Sequence, residues 1–597
     1  MNRQLGLKFA MGVAALVCMG IAMPVQAQVR PFDLVGHIES FCLNTQLTPT
    51  GDCPTAAEKE VLAISPTTNP KRVTNAPVLI GARLVVNGIA VAIPSNLVIQ
   101  FPATYLTPQR VFALAQGVSA KYQESGLALD DKVPPLAAFE VAVTGNIVGG
   151  VYTAGLVSIS QQSLNTSAGF IRVIDPNNTG MMCVGGSPTP STPPTPLRCD
   201  PGDTRVRLND PKITDGADVA VNDGRYGSPN PNPPNAEKSN PNPPPATVDN
   251  LNSRFPDPRF TVDQGNPTVH ALTGYPMCVP RSINTAQAST DPKCPATNRL
   301  AGLSTFVMDT EPLRPPPAFG PQSITPCGPP CNPELQAPFM VGDYVTYGGT
   351  LAEDNEGRFV SVHTMVGNIG IYTKPGGRAY VTLDESLLGT KGNIALCGSI
   401  AECQDRIKIE GFTTDPNGTV NIYAVDVAGP GGAQTVRRLT NTPNPTGTGL
   451  INTAKDQAVW GRFRYVTGKN AGVLFDGSGF LKGATRELMA RIESGPSLAD
   501  GSPVPSSPQA ANGLIAGIYV APIGEYIFPE PTGVQGGSLP ALNFQCLAFL
   551  VQGWTVPLPV PSSPPGTPSV LPPVSTPIPA LNPWPGGGGA PALSCSN

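Results

Sequence analysis

Three histidines, His37, His270 and His363, make up the whole imidazole supply of this 597-residue chain, and no two stand within the few-residue spacing of a zinc motif. A lone histidine beside a strand is ordinarily a core or surface residue, so neither a metal nor a histidine base is expected from them. The sequence contains no Gly-x-Ser-x-Gly elbow, no His-Glu-x-x-His pair and no phosphate-cradling glycine loop. Familiar hydrolase and nucleotide chemistries are thereby disfavoured, and no cofactor is expected. Paired carboxylates are the other source of chemistry, because a glycosidase needs two acids flanking one bond. Asp130 with Asp131, Asp309 with Glu311 and Asp354 with Glu356 are such neighbours, yet each pair stands beside Gly, Pro or Lys in a turn-like context where solvated acids are ordinary. "DPNGTVN" puts Asp415, Asn417, Thr419 and Asn421 at alternate positions like a calcium loop, but the sixth-position glycine and terminal glutamate are missing. Asp-Pro-Asn-Gly reads better as a β-turn.

Two stretches carry the candidate ligand contacts. "DPRFTVDQGNPTVHALTGYPMCVPR", Asp257 to Arg281, is long, irregular and dense in polar groups, and a loop of this length either packs across another module or binds something. If it has a ligand face, Arg259, Asp263, His270, Tyr275 and Arg281 form it. "WGRFRYV", Trp460 to Val466, alternates apolar side chains with Arg462 and Arg464, a strand with one apolar and one basic face. Trp460 is either core or a stacking platform for a sugar ring, with the guanidinium groups suited to acidic sugars.

The elements that must position these residues are strands. "APFMVGDYVTYGGTL" followed by "GRFVSVHTMV" reads as a hairpin bent at Gly348 and Gly349. The cadence recurs in "FEVAVTGNIVGGVYTAGLVSIS", with Gly145 at the place of Gly349 and Tyr152 at that of Phe359, and in "RIKIEGFTTDPNGTVNIYAVDV", with Gly411 at the bend. "GARLVVNGIAVAIPSNLVIQFPA" adds strands joined at Asn87-Gly88, a strong hairpin signal, and a degenerate echo starts at Gly169. Helix is expected only over Leu106–Gly126, with a Thr cap and a first-turn Pro, and over Thr485–Glu493.

The order "GHIES…LVVNGIAVAIP…FEVAVTGNIVGGVYTAGLVSI" resembles the small OB-like β-barrel domains of unknown function in secreted bacterial proteins. The longer run through "LTPQRVFALA", "DPRFTVDQGNPTVHALTGYPMCVPR" and "APFMVGDYVTYGGTL" resembles an uncharacterised family of secreted bacterial and fungal proteins, over roughly residues 34 to 495. The resemblance implies barrels and export and brings no activity. The expected fold is mainly all-β, tandem small OB-like Greek-key barrels with Pro-rich loops and few short helices. The expected division is a signal peptide at 1–27, a barrel module at 28–165, a degenerate β module with Pro-rich, disulfide-stapled loops at 166–335, further OB-like β at 336–440, a C-terminal β-rich segment with a short helix at 441–530 and a Pro/Gly-rich disordered tail at 531–597.

Composition bounds compartment and partners. Arg3 and Lys8 before an apolar run and "VQA" at Val25 to Ala27 form a secretory leader, whose removal takes the net charge from −4 to −6. That is no nucleic-acid footprint, which needs a basic patch against phosphates. Outside the leader no stretch is apolar for long enough to cross a bilayer as a helix. The twelve remaining cysteines fall into close neighbours, Cys42 and Cys53, Cys183 and Cys199, Cys278 and Cys294, Cys327 and Cys331, Cys397 and Cys403, with Cys546 and Cys595 bracketing the tail. In an oxidising compartment these are expected as local staples and one tail clamp, though sequence does not fix connectivity. "CGPPC" has three intervening residues and no helix to activate a thiol, so it is expected to be structural. The expected function is noncatalytic, an exported periplasmic, surface or extracellular protein whose barrels bind a polysaccharide or a cell-surface protein. The competing readings are a polysaccharide hydrolase with a carboxylate pair assembled between modules, and a self-assembling structural protein; oligomeric state is left open.

Overall fold

The structure is a computed structural model that describes residues 29–45, 53, 79–115, 124–161, 165–175, 180–191, 199–210, 257–263, 266–280, 294–315, 323–390, 401–402, 407–427, 434–439, 460–466, 485–492, 516–531, 541–555 and 577–593, save positions 330, 355, 376, 419 and 529. Strand accounts for 49% and helix for 4%, which places the chain in the all-β class. The segment expected to be a leader, Arg281, Cys397, Cys403 and Cys595 lie outside the described residues.

The first barrel comprises β1 (Arg30–Thr45), β2 (Leu79–Val86), β3 (Ile89–Pro94), β4 (Glu140–Val148) and β5 (Val151–Ser160). β1 pairs antiparallel with both β2 and β4, and the ring closes where β3 runs parallel to β5 through Val91–Tyr152 and Ala92–Thr153. The expected turn is present: Asn87 and Gly88 have φ of 52° and 72°, the positive values a two-residue hairpin turn of this type requires. Alternate side chains point inward, so Ile38, Leu84, Val91, Val143 and Ile159 are sealed in one core. Between β3 and β4 lies α1 (Pro108–Ala113), with Thr107 at its cap and Pro108 in its first turn.

The second barrel repeats this pairing with β6 (Ser167–Ile174), β7 (Met181–Gly185), β8 (Thr204–Leu208), β9 (Tyr344–Asp354) and β10 (Gly357–Gly367). β6 pairs with β7 and β9, and β8 closes the ring in parallel against β10. Strands from both sides of the expected 335/336 division thus share one barrel. Its third and fourth strands are separated by the chain from Asn209 to Asp343, which returns as short strands beside β10 and at Ala337–Pro338.

The bend glycines occupy the same place in both barrels. A Cβ on Gly145 would lie 2.2 Å from the Thr153 carbonyl oxygen, and one on Gly349 would lie 2.3 Å from that of Ser361. Each faces a β-bulge in the next strand, at Gly155 and His363, where the ladder slips by one residue. Counted from these glycines, Tyr152 corresponds to Val360 and not to Phe359, because Tyr152 faces Ile147 and Val360 faces Leu351.

The expected third copy does not form a hairpin. β11 (Val381–Gly389), β12 (Ile407–Thr413), β13 (Val420–Val427), β14 (Gln434–Arg438), β15 (Arg462–Val466), β16 (Glu487–Ile492), β17 (Ile518–Pro522) and β18 (Glu525–Ile527) make two four-stranded sheets. One runs β15-β12-β11-β18 and the other β14-β13-β16-β17, so β12 and β13 part company at the Asp415 turn. Gly411 nevertheless marks a close approach, since its Cβ would meet the Thr382 carbonyl oxygen at 2.0 Å. β16 replaces the helix expected at Thr485–Glu493: all six of its positions are buried between β13 and β17, and that burial overrides helical propensity.

The first barrel, this third region and part of the C-terminal segment share one core cluster, which Phe260 enters from the Asn209–Asp343 insertion. The segment expected to be a disordered tail is ordered in part: Phe544, Leu547, Leu581 and Trp584 are buried. Disulfides join Cys42–Cys53, Cys183–Cys199, Cys278–Cys294 and Cys327–Cys331, and Cys546 is also disulfide-bonded. These bonds fit an oxidising compartment. Among the described residues no helix is long and apolar enough to cross a membrane.

Candidate functional site

Packing claims most of the Asp257–Arg281 stretch. Arg259 is only 1% exposed and grips Asp257 with two bonds, Nε at 2.9 Å and Nη2 at 2.8 Å. Its Nη1 donates to the Ser125 carbonyl at 2.6 Å, which fastens the insertion to the first barrel. His270 is buried beside β10, with Nδ1 2.7 Å from the Ala271 carbonyl oxygen, and burial pushes its pKa down to about 4. Tyr275 is fully buried and donates to the Leu335 carbonyl at 2.8 Å. No ligand reaches these three without displacing protein. Asp263 is only half-buried.

The neighbouring carboxylates hold the fold. Asp354 and Glu356 both bind Arg205, at 2.9 and 3.1 Å, and Glu311 binds Lys374 at 2.7 Å. Asp131 is buried and accepts from the Ser125 hydroxyl and the Ala128 amide, both at 3.2 Å. Asp415 accepts the Asn417 amide at 3.0 Å, the Asx turn that Asp-Pro-Asn-Gly implies. His363 is buried at the β10 bulge, and burial lowers its pKa to about 4; His37 is exposed on β1.

β15 alternates as expected, with Phe463 and Tyr465 inward and Arg462 and Arg464 outward. Both arginines bind one carboxylate of β12, Glu410, at 2.6 and 2.9 Å, and Lys408 links it to Glu385 on β11. Burial alone would raise the Glu410 pKa, but Arg462, Arg464 and Lys408 outweigh it and hold it below the usual carboxylate range. Trp460 packs against Tyr372 with ring centroids 5.2 Å apart, and its carbonyl accepts the Tyr372 hydroxyl. This face is a self-paired charge ladder with an aromatic pair at its end.

A group of charged and phenolic side chains gathers at the seam between the first barrel and the third region. Tyr105 comes from a short strand pairing with Ile99–Gln100 beside the first barrel, Arg486 and Glu487 from β16 and the residue before it, Tyr519 from β17, Tyr526 from β18 and Asp263 from the insertion. Asn266 sets Asp263 in place: its side-chain nitrogen donates to Asp263 Oδ2 at 2.9 Å and to the Val520 carbonyl at 2.6 Å, while its oxygen accepts the Val520 amide at 2.9 Å. The Arg486 guanidinium lies 4.4 Å over the Tyr105 ring and 5.0 Å from that of Phe549. Tyr526 donates to the Thr485 carbonyl at 2.9 Å.

Glu487 is held up to about 7 by burial and by the charge of Asp263, against the pull of Arg486 and the Tyr105 hydroxyl. Burial likewise raises Tyr105, Tyr519 and Tyr526. Perturbed groups converging from separate segments are a physical reason to consider a site. Tyr105, Tyr519, Tyr526 and Asp263 are all half-buried, although the Tyr105 hydroxyl itself is sealed from solvent. Such a set can stack on a flat apolar face and accept hydrogen bonds from hydroxyls beside it.

Of the residues singled out from sequence, only Asp263 belongs to this seam. Glu487 was hidden inside a stretch that reads as helix, and Tyr519 and Tyr526 sit in "IYVAPIGEYIFP", which carries no motif. The alternation and Pro-Gly punctuation of that stretch do signal two short strands, and strands were the clue available. No protein-family model, curated protein or solved structure matches this chain.

Proposed function

We propose that this chain is an exported, noncatalytic binding protein whose ligand is a carbohydrate polymer, held at the seam between the first barrel and the third region. The observation that carries the reading is the convergence there of three half-buried tyrosines, Tyr105, Tyr519 and Tyr526, with the carboxylates Asp263 and Glu487. Aromatic faces complement the C–H face of a sugar, and carboxylates accept from its hydroxyls. The pairing order of the two five-stranded rings, with the third strand parallel to the fifth, supports reading them as OB-like barrels, a scaffold that binds oligosaccharides as well as oligonucleotides. The net negative charge weighs against the second class.

One observation favours a second reading. Glu487, with its pKa raised to about 7 near Asp263, has the chemistry of a general acid beside a base, as a polysaccharide hydrolase with its acids assembled between modules requires. A single experiment separates the two. The oxidised protein without its leader is mixed with insoluble polysaccharides and cell walls, and the supernatant is assayed for sugar. Retention without sugar release, lost in Tyr519→Ala and Tyr526→Ala, is the expected result. Sugar release abolished by Glu487→Gln establishes the hydrolase instead, and retention unchanged by the tyrosine variants moves the ligand elsewhere.

A further inference from the structure

The second barrel closes through a block of polar side chains sealed from solvent. Where β8 runs parallel to β10, Arg207 stands level with Ser361, and the Asn209 amide donates to the Val362 carbonyl at 2.7 Å, which brings Asn209 level with His363. Side chains two residues apart share a face of a strand, so Arg207, Asn209, Ser361 and His363 form one block, and Thr350 of β9 faces Ser361 from the other side. Ser361 and Asn209 are 0% exposed and His363 is 2% exposed. Among the described residues, Ser361 Oγ, His363 Nε2 and Asn209 Oδ1 have no hydrogen-bond partner. A buried polar atom left unpaired is destabilising, and native folds satisfy such atoms with protein or with ordered water.

In the first barrel the same place is filled by the chain itself. Counted from the bend glycines, Thr153 corresponds to Ser361, Gly155 to His363 and Asn146 to Thr350. There Asn146 donates to the Leu542 carbonyl at 3.0 Å and accepts the Leu542 amide at 2.9 Å, and the Phe544 ring takes the space over Gly155, where a Cβ would stand 2.4 Å from it. The second barrel is covered differently. The Asp257–Phe260 turn meets Asn209, whose Nδ2 donates to the Asp257 and Phe260 carbonyls at 2.9 and 2.8 Å, and Gln161 Oε1 accepts the Leu351 amide beside Thr350 at 2.9 Å. These contacts close the block without meeting its three leftover atoms.

The donors and acceptors define what belongs there. Both protons of Asn209 Nδ2 are engaged by carbonyls, which sets the amide orientation and leaves Oδ1 as an acceptor only. His363 Nδ1 lies 3.0 Å from the Thr364 hydroxyl, and burial holds the ring's pKa down to about 4, so the imidazole is neutral and its Nε2 donates in one tautomer and accepts in the other. The Ser361 hydroxyl does either. An occupant must therefore donate to Asn209 and donate or accept at the other two, as a hydroxyl does. The charges nearby are already matched: Arg205 is bound by Asp354 and Glu356, and although burial lowers Arg207 to about 10, Asp354 and Asp175 favour its charged form. A neutral occupant fits, and the near-complete burial of all three groups restricts it to the smallest. We propose that the Asn209–Ser361–His363 block is an internal hydration site, holding a small cluster of long-lived water molecules that completes the β8–β10 closure and links it through Asn209 to the Asp257–Phe260 turn. Adjacent strands lie about 4.8 Å apart and residues two apart on one strand about 6.6 Å, spacings that bridging water spans.

The test uses the full oxidised chain. Magnetic relaxation dispersion of the water oxygen counts long-lived internal waters in wild type and in S361A, and thermal melts compare the two proteins. In a hydrated block the variant loses a hydroxyl that bonds water, so it is expected to hold at least one long-lived water fewer and to melt at a lower temperature. In a dry block the hydroxyl is an unpaired polar group, and its removal leaves the water count unchanged and raises the melting temperature. Either of those two results overturns the proposal. A crystal structure of wild type at a resolution that shows ordered solvent gives a second reading that does not depend on S361A folding. Water within hydrogen-bond distance of Ser361 Oγ and His363 Nε2 is the expected result, and direct protein partners or a dry contact at those atoms overturn the site.

Discussion

At the scale of single residues, burial decides what the ionisable groups do. Arg259 was a candidate for an exposed ligand contact, yet it is locked to Asp257 with both side chains almost fully buried. Removing one partner of a buried pair strands the other charge, so Arg259→Ala is expected to lose about 3–5 kcal/mol, read as a lower urea midpoint. Polymer retention by the molecules that remain folded should be unchanged. Glu487 makes the opposite prediction about pH. Its folded pKa of about 7 lies above the ~4.3 of a free glutamate, so between those values the folded state holds a proton that the unfolded state has lost. Stability contributed by the neutral carboxyl is full below the lower value and falls as pH rises through the window. Glu487→Gln keeps the neutral form, and its melting temperature relative to wild type should climb between pH 5 and pH 8. A difference that stays flat with pH refutes this assignment.

At the scale of elements, glycines and disulfides govern how the strands meet. Gly145 and Gly349 have ordinary backbone angles but no room for a methyl group against the neighbouring strand's carbonyl. Gly145→Ala should therefore cost about 1–3 kcal/mol or more through forced strand separation. Gly88, with open space around it and φ of 72°, should lose only about 1–2 kcal/mol in Gly88→Ala, from the left-handed backbone alone. Thermal melts of the two variants distinguish crowding from backbone strain. The Cys183–Cys199 bond closes a loop with a sequence separation of 16, and its removal in a Cys183→Ala/Cys199→Ala variant should cost about 3 kcal/mol. The strands themselves were legible as alternating runs with turn punctuation, and so were the neighbour cysteine pairs, because both signals are local. β16 was not, since its Leu, Met, Ala and Arg residues favour helix and only the two flanking strands make it extended.

At the scale of the whole molecule, the modules are interlocked in a way that linear segmentation misses. The insertion of the second barrel sends Phe260 into the core of the first, 4.9 Å from Phe139 and 5.3 Å from Phe101 between ring centroids. Phe260→Ala should cost about 3–5 kcal/mol. Its signature is loss of hydrogen-exchange protection in β1–β5, although the substituted residue lies between strands of the other barrel. Protection lost only around β9 and β10 contradicts this coupling. The shared core also means that the first barrel, the third region and the C-terminal segment should melt together.

The sequence by itself determined the β class, the bend glycines, the Asn87-Gly88 turn and which cysteines are close neighbours, because each rests on residues near one another in the chain; the structure joins four of those neighbour pairs. Only the tertiary structure decided that β6–β8 close with β9–β10 across the Asn209–Asp343 insertion, that the third cadence splits between two sheets, and that a Pro/Gly-rich C-terminal segment finds a seat. The seam of Tyr105, Asp263, Glu487, Tyr519 and Tyr526 belongs with these, since Tyr105 and Asp263 come from parts of the chain far from the segment that carries Glu487, Tyr519 and Tyr526. Strand pairing and burial of this kind depend on partners that no local window contains, and the free energy that selects them is a property of the closed barrel and the shared core.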